Sequence, residues 1–292
     1  MDQTQKQNSV QDFYDQVGWQ KVAQDRYQNT RYEDLRPVSS DYIRRCHQRV
    51  GRHLPPAGGM LLDAGSGPVQ YDAYLAYSAG YKKRVCLDIS IVALQEARKR
   101  LGEHGEYVVA DVSRLPFVEN AFDGVVSLHT LHHLSEEGQL NAYQEIYRVM
   151  KSGGSAVIVN GWTHSPLMGF FQPLVGVMEK AGIFIARLRG KSAPSKKSVQ
   201  TEGAPEKPTG TFVKKMDAAR LRAQLKPLMP FEIRVWRSVS VRFMRAVIHT
   251  ALGGRIWLRL LFWLEERFPR WFGEKGQYPM VIIRKSNGGR HE

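Results

Sequence analysis

The residue pattern best suited to chemistry is an acid, two glycines one residue apart, and a second acid further on. These are Asp63, Gly65 and Gly67 in the run LLDAGSGP (61–68), and Asp88, which closes the next apolar run. Neither glycine carries a Cβ, so the backbone can turn sharply there and come close to a ligand. Asp88 lies about 20 residues past the turn, where a carboxylate at the end of a second strand accepts hydrogen bonds from both hydroxyls of a ribose. The chemistry implied is the holding of a nucleoside cofactor. A dinucleotide fingerprint requires a third glycine at position 70 and an open helix N-terminus facing the pyrophosphate. Gln70 stands there, behind Pro68 and Val69, which argues against NAD or FAD.

The elements that must position these residues follow in order. YVVAD (107–111) reads as a third strand ending in an acid, and FDGVVSLHTLHHL (122–134) as a fourth strand running into a turn that holds His129, His132 and His133. A helical stretch from about Glu136 to Met150 comes next, and KSGGSAVIVNGW (151–162) reads as a Gly-Gly turn feeding a fifth strand. Strands of four to seven residues alternating with helical patterns are the signature of a parallel sheet with helices on both faces.

Taken together and in this order, LLDAGSGP, CLDIS, ADVSRLPF, FDGVVSLHTLHHL and the Gly-Gly turn resemble the class I S-adenosylmethionine-dependent methyltransferases, over roughly residues 59–161. The resemblance implies an α/β, Rossmann-like, seven-stranded sheet, mostly parallel with an antiparallel last strand, with helices on both faces and helical additions. It implies S-adenosylmethionine as cofactor. It places Asp63, Gly65 and Gly67 in the loop holding the methionyl part, Asp88 on the ribose and Ile89 against the adenine. Asp111 and Val112 match the pair that reads the adenine edge, and Ser127, Leu128 and His129 the segment bordering methyl transfer. Val69 stands where many members of the family carry a third alternate glycine.

With 292 residues the chain can bury a full core, and 42% hydrophobic with 24% charged residues is a globular balance. Cys46 and Cys86 show no pairing or ligand spacing, so a cytoplasmic setting is expected. The start, MDQTQKQNSVQD, is polar and has no apolar signal region. Net charge is +14, but residues 1–160 carry 18 basic against 19 acidic side chains, and residues 161–292 carry 24 against 9. All of the basic excess therefore lies outside the cofactor motifs.

We divide the chain into a helical cap (1–58), a cofactor-binding core (59–161), an apolar then basic insertion (162–215), a completion of the core (216–285) and a tail (286–292). Polar helices are expected over about 8–54, where Tyr14 and Trp19 are candidates to line the pocket, with His133 as a third. Residues 167–188 are apolar but interrupted by Pro173, Glu179 and Lys180, which disfavours a membrane-spanning helix. Residues 187–210 are basic and rich in Ser, Pro, Gly and Lys, and read as a flexible loop. Strands are expected at about 230–241 and 278–285, with a helix near 216–226. Within a second addition at 242–277, RIWLRLLFWLEERFPRWF (255–272) reads as one amphipathic helix with an apolar face of Ile256, Leu260, Leu261, Trp263 and Leu264. Its tryptophans and arginines are the composition of an interfacial helix.

Methyl transfer from a sulfonium is an in-line displacement that can rest on alignment and desolvation, so no catalytic dyad is required. His129 is the candidate general base for a hydroxyl acceptor. No metal site is expected, because adjacent histidines on a short turn rarely converge and no thiolate is near. The expected acceptor is a lipophilic small molecule, and the basic half has two open readings, an anionic membrane surface as partner or a solvated basic surface around an apolar substrate pocket. Nucleic acid is disfavoured, since the aromatics sit in apolar runs and no recognition motif appears. Two rival readings are an NAD-dependent oxidoreductase and a non-catalytic, cofactor-binding adaptor that docks through its basic half.

Overall fold

Leu61 and Leu62 are neighbours in sequence and both fully buried, yet they belong to different cores. The same alternation recurs at Val125/Val126, Val157/Ile158 and Val281/Ile282, as expected for strands covered by helices on both faces. The computed structural model describes residues 13, 15, 19, 21–23, 26–27, 33–188 and 212–286. Its central sheet has seven strands: β1 (Gly58–Ala64), β2 (Tyr81–Asp88), β3 (Gly105–Val109), β4 (Phe122–Leu128), β5 (Met150–Val159), β6 (Phe231–Arg237) and β7 (Tyr278–Arg284). Their order is β3-β2-β1-β4-β5-β7-β6. Strands β1 to β5 pair in parallel, and β7 runs antiparallel to both β5 and β6, as the resemblance implied.

The chain leaves β1 toward β2 on one side and reaches β4 on the other. That reversal opens a crevice at the C-terminal ends of β1 and β4, the place where ligands bind in open α/β sheets. Against one face of the sheet pack α1 (Ser40–Gly51), the short α2 (Asp72–Leu75) and α3 (Ile91–Leu101). The opposite face is covered by α4 (Glu136–Val149) and, from the second half of the chain, by α6 (Ala218–Leu225). Ser90 and Ser135 cap α3 and α4 through their hydroxyls, and Asp217 caps α6 through its carboxylate. The Gly-Gly expected as a turn falls within the bounds of β5: Gly153 sits at φ 78°, and the pairing with β4 jumps from Phe122–Met150 to Gly124–Ser155, so the chain turns out of register there before the long paired run begins.

Between β5 and β6 runs α5 (Pro166–Leu188), 23 residues with Pro173 inside. It packs on α7 (Val241–Val247) through Phe171 and Phe243, whose ring centroids are 5.3 Å apart, and through the Arg242–Glu179 ion pair. No helix among the described residues is long and apolar enough to cross a membrane. The basic loop expected at 187–210 lies, but for its first two residues, outside the described residues.

Two expectations require correction. Within the N-terminal region, expected as polar helices over about 8–54, Lys21–Ala23 and Arg26–Tyr27 form a short antiparallel strand pair instead, while Ser40–Gly51 is helical. The stretch 255–272 is not one helix. It consists of α8 (Gly254–Arg267) and α9 (Pro269–Lys275), broken at Phe268, because Pro269 lacks the N–H that would continue the ladder and takes the first position of a new helix. The buried line of α8 is Leu258, Phe262 and Glu265, while Ile256, Leu260 and Trp263 are exposed. The apolar face read from the pattern is thus turned largely outward. A buried polar cluster holds the helix this way round. The Glu265 carboxylate accepts from Tyr42 Oη at 2.7 Å, Arg49 Nη1 at 2.8 Å and the Ser238 backbone N–H at 2.9 Å. Glu266 beside it accepts from Arg49 Nε and Arg52 Nη1 at 2.8 Å each.

Candidate active site

The loop after β1 turns as its glycines allow. Gly65 has φ 77° and Gly67 φ 54°. A Cβ on Gly65 would lie 2.1 Å from Thr130, whose hydroxyl donates to Gly65 O at 3.0 Å and so latches the loop to the end of β4. One on Gly67 would meet the Trp19 indole at 3.0 Å. Both positions therefore require glycine for space as well as for conformation. Val69 continues the left-handed turn at φ 51°, with its side chain fully buried. A β-branched residue is strained there, by about 1–3 kcal/mol. Burial of a valine contributes a comparable 1.5–3 kcal/mol, which offsets the strain.

Asp63 lines the cleft, but its carboxylate is committed to Arg84, a buried pair that braces β1 against β2. Asp88 is held differently. One oxygen accepts from Gly67 N at 2.9 Å and the other from Ser90 N at 2.9 Å, so the carboxylate ties the glycine loop to the start of α3. Burial pushes its pKa up to about 6 against the two backbone hydrogen bonds, and the nearby charges of Asp63 and Asp15 raise it further. Asp15 crosses from the cap to bond Ser90 Oγ. Asp111 accepts from Ser113 N at 2.8 Å and Ser113 Oγ at 2.7 Å, a local turn that fixes the acid next to Val112.

These residues share one cavity of about 480 Å³. Asp63, Gly65, Gly67, Asp88, Ile89, Asp111, Val112 and Leu128 all line it, as do Trp19, His129 and His133. Ser127 does not: it is buried, and its hydroxyl donates to Ala64 O at 2.7 Å, joining β4 to β1 beneath the loop. Tyr14 lies outside the described residues. Phe13, also lining the cavity, comes from the same cap.

The cavity is also lined by residues that no sequence motif marks: Glu33, Tyr71, Tyr74, Lys215, Arg237 and Tyr278. Arg237, fully buried, donates to Glu33 Oε2 at 2.7 Å and lies over the ring of Tyr278 at 4.6 Å. The His129 ring meets Trp236 edge-on at 4.9 Å and Tyr278 at 5.8 Å, and its backbone is left-handed at φ 56°. Burial, then the positive charges of Arg237 and Lys215, push the His129 pKa down to about 3. The imidazole is therefore neutral at physiological pH and weakly basic. Burial first also pulls His133 down to about 4, against its bond to Phe212 O at 2.9 Å, and His132 well below its usual value. Among the described residues no three His, Cys, Asp or Glu side chains form a metal-binding group.

The cavity fits the implied cofactor. The glycine loop lines it together with two acids, Asp88 beyond the loop and Asp111 beside Val112, the acceptors a nucleoside with its base requires.

Comparison with known proteins agrees with this geometry. Residues 62–158 match the family described as methyltransferase domain. Over 135 residues the chain is 30% identical to a ubiquinone/menaquinone biosynthesis C-methyltransferase of Desulfotalea psychrophila, covering 46% of this chain and 53% of that one. Over 125 residues it is 31% identical to a malonyl-[acyl-carrier protein] O-methyltransferase of Legionella pneumophila, covering 42% and 43%. The chain thus spans about half the length of the curated relatives it matches. A chain from the Haloferax volcanii complex between the Trm112 methyltransferase activator and a methyltransferase superposes with a TM-score of 0.51 at 16% identity, over 85% of this chain and 92% of that one, which shows a shared fold. Over residues 62–158, about a third of its length, the chain is therefore similar to the methyltransferase domain.

Proposed function

We propose that this protein transfers the methyl group of S-adenosylmethionine to a lipophilic small molecule drawn from an anionic membrane surface. The observation that carries the reading is that one cavity is lined both by the glycine loop with its acids and by a group of aromatic side chains, Tyr71, Tyr74 and Tyr278. Bound in this cavity, S-adenosylmethionine supplies an electrophilic methyl group. Asp88 would accept from the ribose hydroxyls, Ile89 would lie against the adenine, and Asp111 with Val112 would read its edge. Asp63 acts at one remove by fixing β1 through Arg84. Phe13 and Trp19 close the cavity from the cap and exclude water, which favours a displacement whose charge is neutralised as it proceeds.

His129 lines the cavity with a left-handed backbone and its ring against Trp236 and Tyr278. We assign it the role of an acceptor-facing wall and hydrogen-bonding group in its neutral form, with proton removal only from an acceptor already acidic. The lipophilic character is supported by the cavity walls of Tyr71, Tyr74 and Tyr278 and by the names of the quinone-methylating relatives.

The membrane part of the reading rests on α8. Opposite its buried line, Ile256, Trp257, Leu260 and Trp263 are 45–70% exposed, flanked by exposed Arg255, Arg259 and Arg267. An apolar face with tryptophan and arginine at its margins suits the headgroup region of an anionic bilayer. Transfer of label from methyl-labelled S-adenosylmethionine into a membrane lipid extract is the direct test. Label in the organic phase supports the reading; tight cofactor binding with no transfer to any acceptor pool supports a non-catalytic adaptor instead. Cosedimentation with phosphatidylglycerol-containing vesicles, lost on Trp257→Ser with Trp263→Ser, tests the surface. Unchanged sedimentation of that double variant removes the membrane from the account.

A further inference from the structure

The segment from Phe212 to Met216 is pinned to the end of β4 and its following helix. His133 Nδ1 bonds Phe212 O at 2.9 Å, Lys214 N donates to His132 O at 2.7 Å, and Gln139 Nε2 donates to Lys214 O at 2.6 Å. Thr163 N donates to Met216 O at 3.0 Å. Met216 is buried in the core on the α4 side, while Val213 and Lys215, alternating with the pinned residues, face the cavity. The Lys215 side chain lies low over Gly161: a Cβ there would be 3.3 Å from its Nζ and 3.5 Å from the Tyr278 ring. Its position is set from both sides along the chain.

Every carboxylate lining the cavity is engaged elsewhere. Glu33 pairs with Arg237, Asp63 with Arg84, Asp88 with the amides of Gly67 and Ser90, and Asp111 with Ser113. Among the described residues Lys215 makes no hydrogen bond and no ion pair, and its ammonium is more than half buried, so its pKa is lowered by burial alone. A cation held among aromatic rings without a counter-ion is unfavourable unless something that enters the site completes the pair. The neighbouring His129 and His133 are neutral and supply no negative charge.

We propose that Lys215 holds an oxyanion of the methyl acceptor, so that the substrate class is planar molecules presenting a phenolate, enolate or carboxylate to the ammonium while their rings lie against His129 and Tyr278. The assignment rests on the methyltransferase reading above and specifies its acceptor. It is tested with 4-nitrophenol, whose phenolate is coloured, against the uncharged 4-nitroanisole, each titrated into the full chain with and without saturating S-adenosylhomocysteine. The phenolate should bind about tenfold tighter than the anisole or better, and its colour should persist to lower pH than in water. Lys215→Met should abolish both effects, Lys215→Arg should restore most of the preference, and Lys82→Met, at an exposed position of β2, should change neither. Equal binding of the two probes, a preference that survives Lys215→Met, or uptake of the phenol in its neutral form would overturn the proposal. Failure of S-adenosylhomocysteine to bind would instead count against the cofactor reading, and the probe preference of the free protein would still decide the role of Lys215.

Discussion

Val69 shows how one side chain can stand where glycine is the expected residue. Its positive φ is strained, but its isopropyl group fills a site with no exposure to water, and the two effects are of similar size. Val69→Ala removes the burial and keeps the strain, and should lose about 1–3 kcal/mol in denaturant unfolding. Val69→Gly removes both, so it should be no less stable than the alanine variant, whereas at a negative φ glycine would be lower by about 0.5–1 kcal/mol. Asp88 makes a second prediction at this scale. The ribose needs the ionised carboxylate as acceptor, and the pKa stands near 6. Affinity for S-adenosylhomocysteine should accordingly be flat above pH 7 and fall as pH drops through about 6, and Asp88→Asn should bind weakly with no such slope. Calorimetric titration across pH 5 to 8 gives the comparison.

At the scale of elements, α8 is oriented by its buried acid more than by its apolar residues. Leu258 and Phe262 pack inward, but Glu265 turns with them because four donors from Tyr42, Arg49 and Ser238 converge on it. A hydropathy pattern gives a glutamate no reason to be buried, so the line of α8 that packs inward was not legible in it. Removing Glu265 strips Tyr42, Ser238 and one edge of the Arg49 guanidinium of their buried acceptor and leaves Arg49 only the partly exposed Glu266. Glu265→Ala should destabilise the protein by about 3–5 kcal/mol, well beyond the effect of Glu266→Ala at the helix margin, as read by thermal and urea unfolding. Equal effects of the two would mean that Glu265 does not anchor the helix.

Across the whole molecule, what was legible in the sequence was local. Gly65, Gly67 and Asp88 are separated by one turn and one helix, and their types record what a cofactor loop needs; the order of strands followed from the same motifs. The rest of the cavity lining was not legible. Glu33, Tyr71, Lys215, Arg237 and Tyr278 come from segments far apart in the chain, and only the sheet order, which carries β7 between β5 and β6, brings them to one cavity. Asp63 was visible as a motif residue, but its commitment to Arg84 depends on the β1–β2 register. The residues around the cavity also set the acid response of the fold. His47, fully enclosed and stacked on Trp236 at 5.5 Å, has its pKa pushed down to about 3 by burial and then by Arg237. The unfolded chain takes up this proton near pH 6.5 and the folded chain does not until about pH 3, so stability falls as pH falls through that window. The slope approaches about 1.4 kcal/mol per pH unit for each such group, His129 acting over the same window as His47 and His133 down to about pH 4. Asp88, protonated more readily in the folded chain, offsets part of this between about pH 4 and 6. Urea unfolding at pH 7.5 and pH 5 should therefore show a lower midpoint in acid, and His47→Gln should reduce the difference. The central claim is that the glycine loop and Asp88 hold S-adenosylmethionine, and the most direct test is calorimetric titration of the full chain with S-adenosylmethionine, S-adenosylhomocysteine and NAD, repeated on Asp88→Ala. The account predicts binding of both adenosyl compounds, weakened at least about tenfold in the variant, and none of NAD. Preference for NAD, or adenosyl binding indifferent to Asp88, would contradict it.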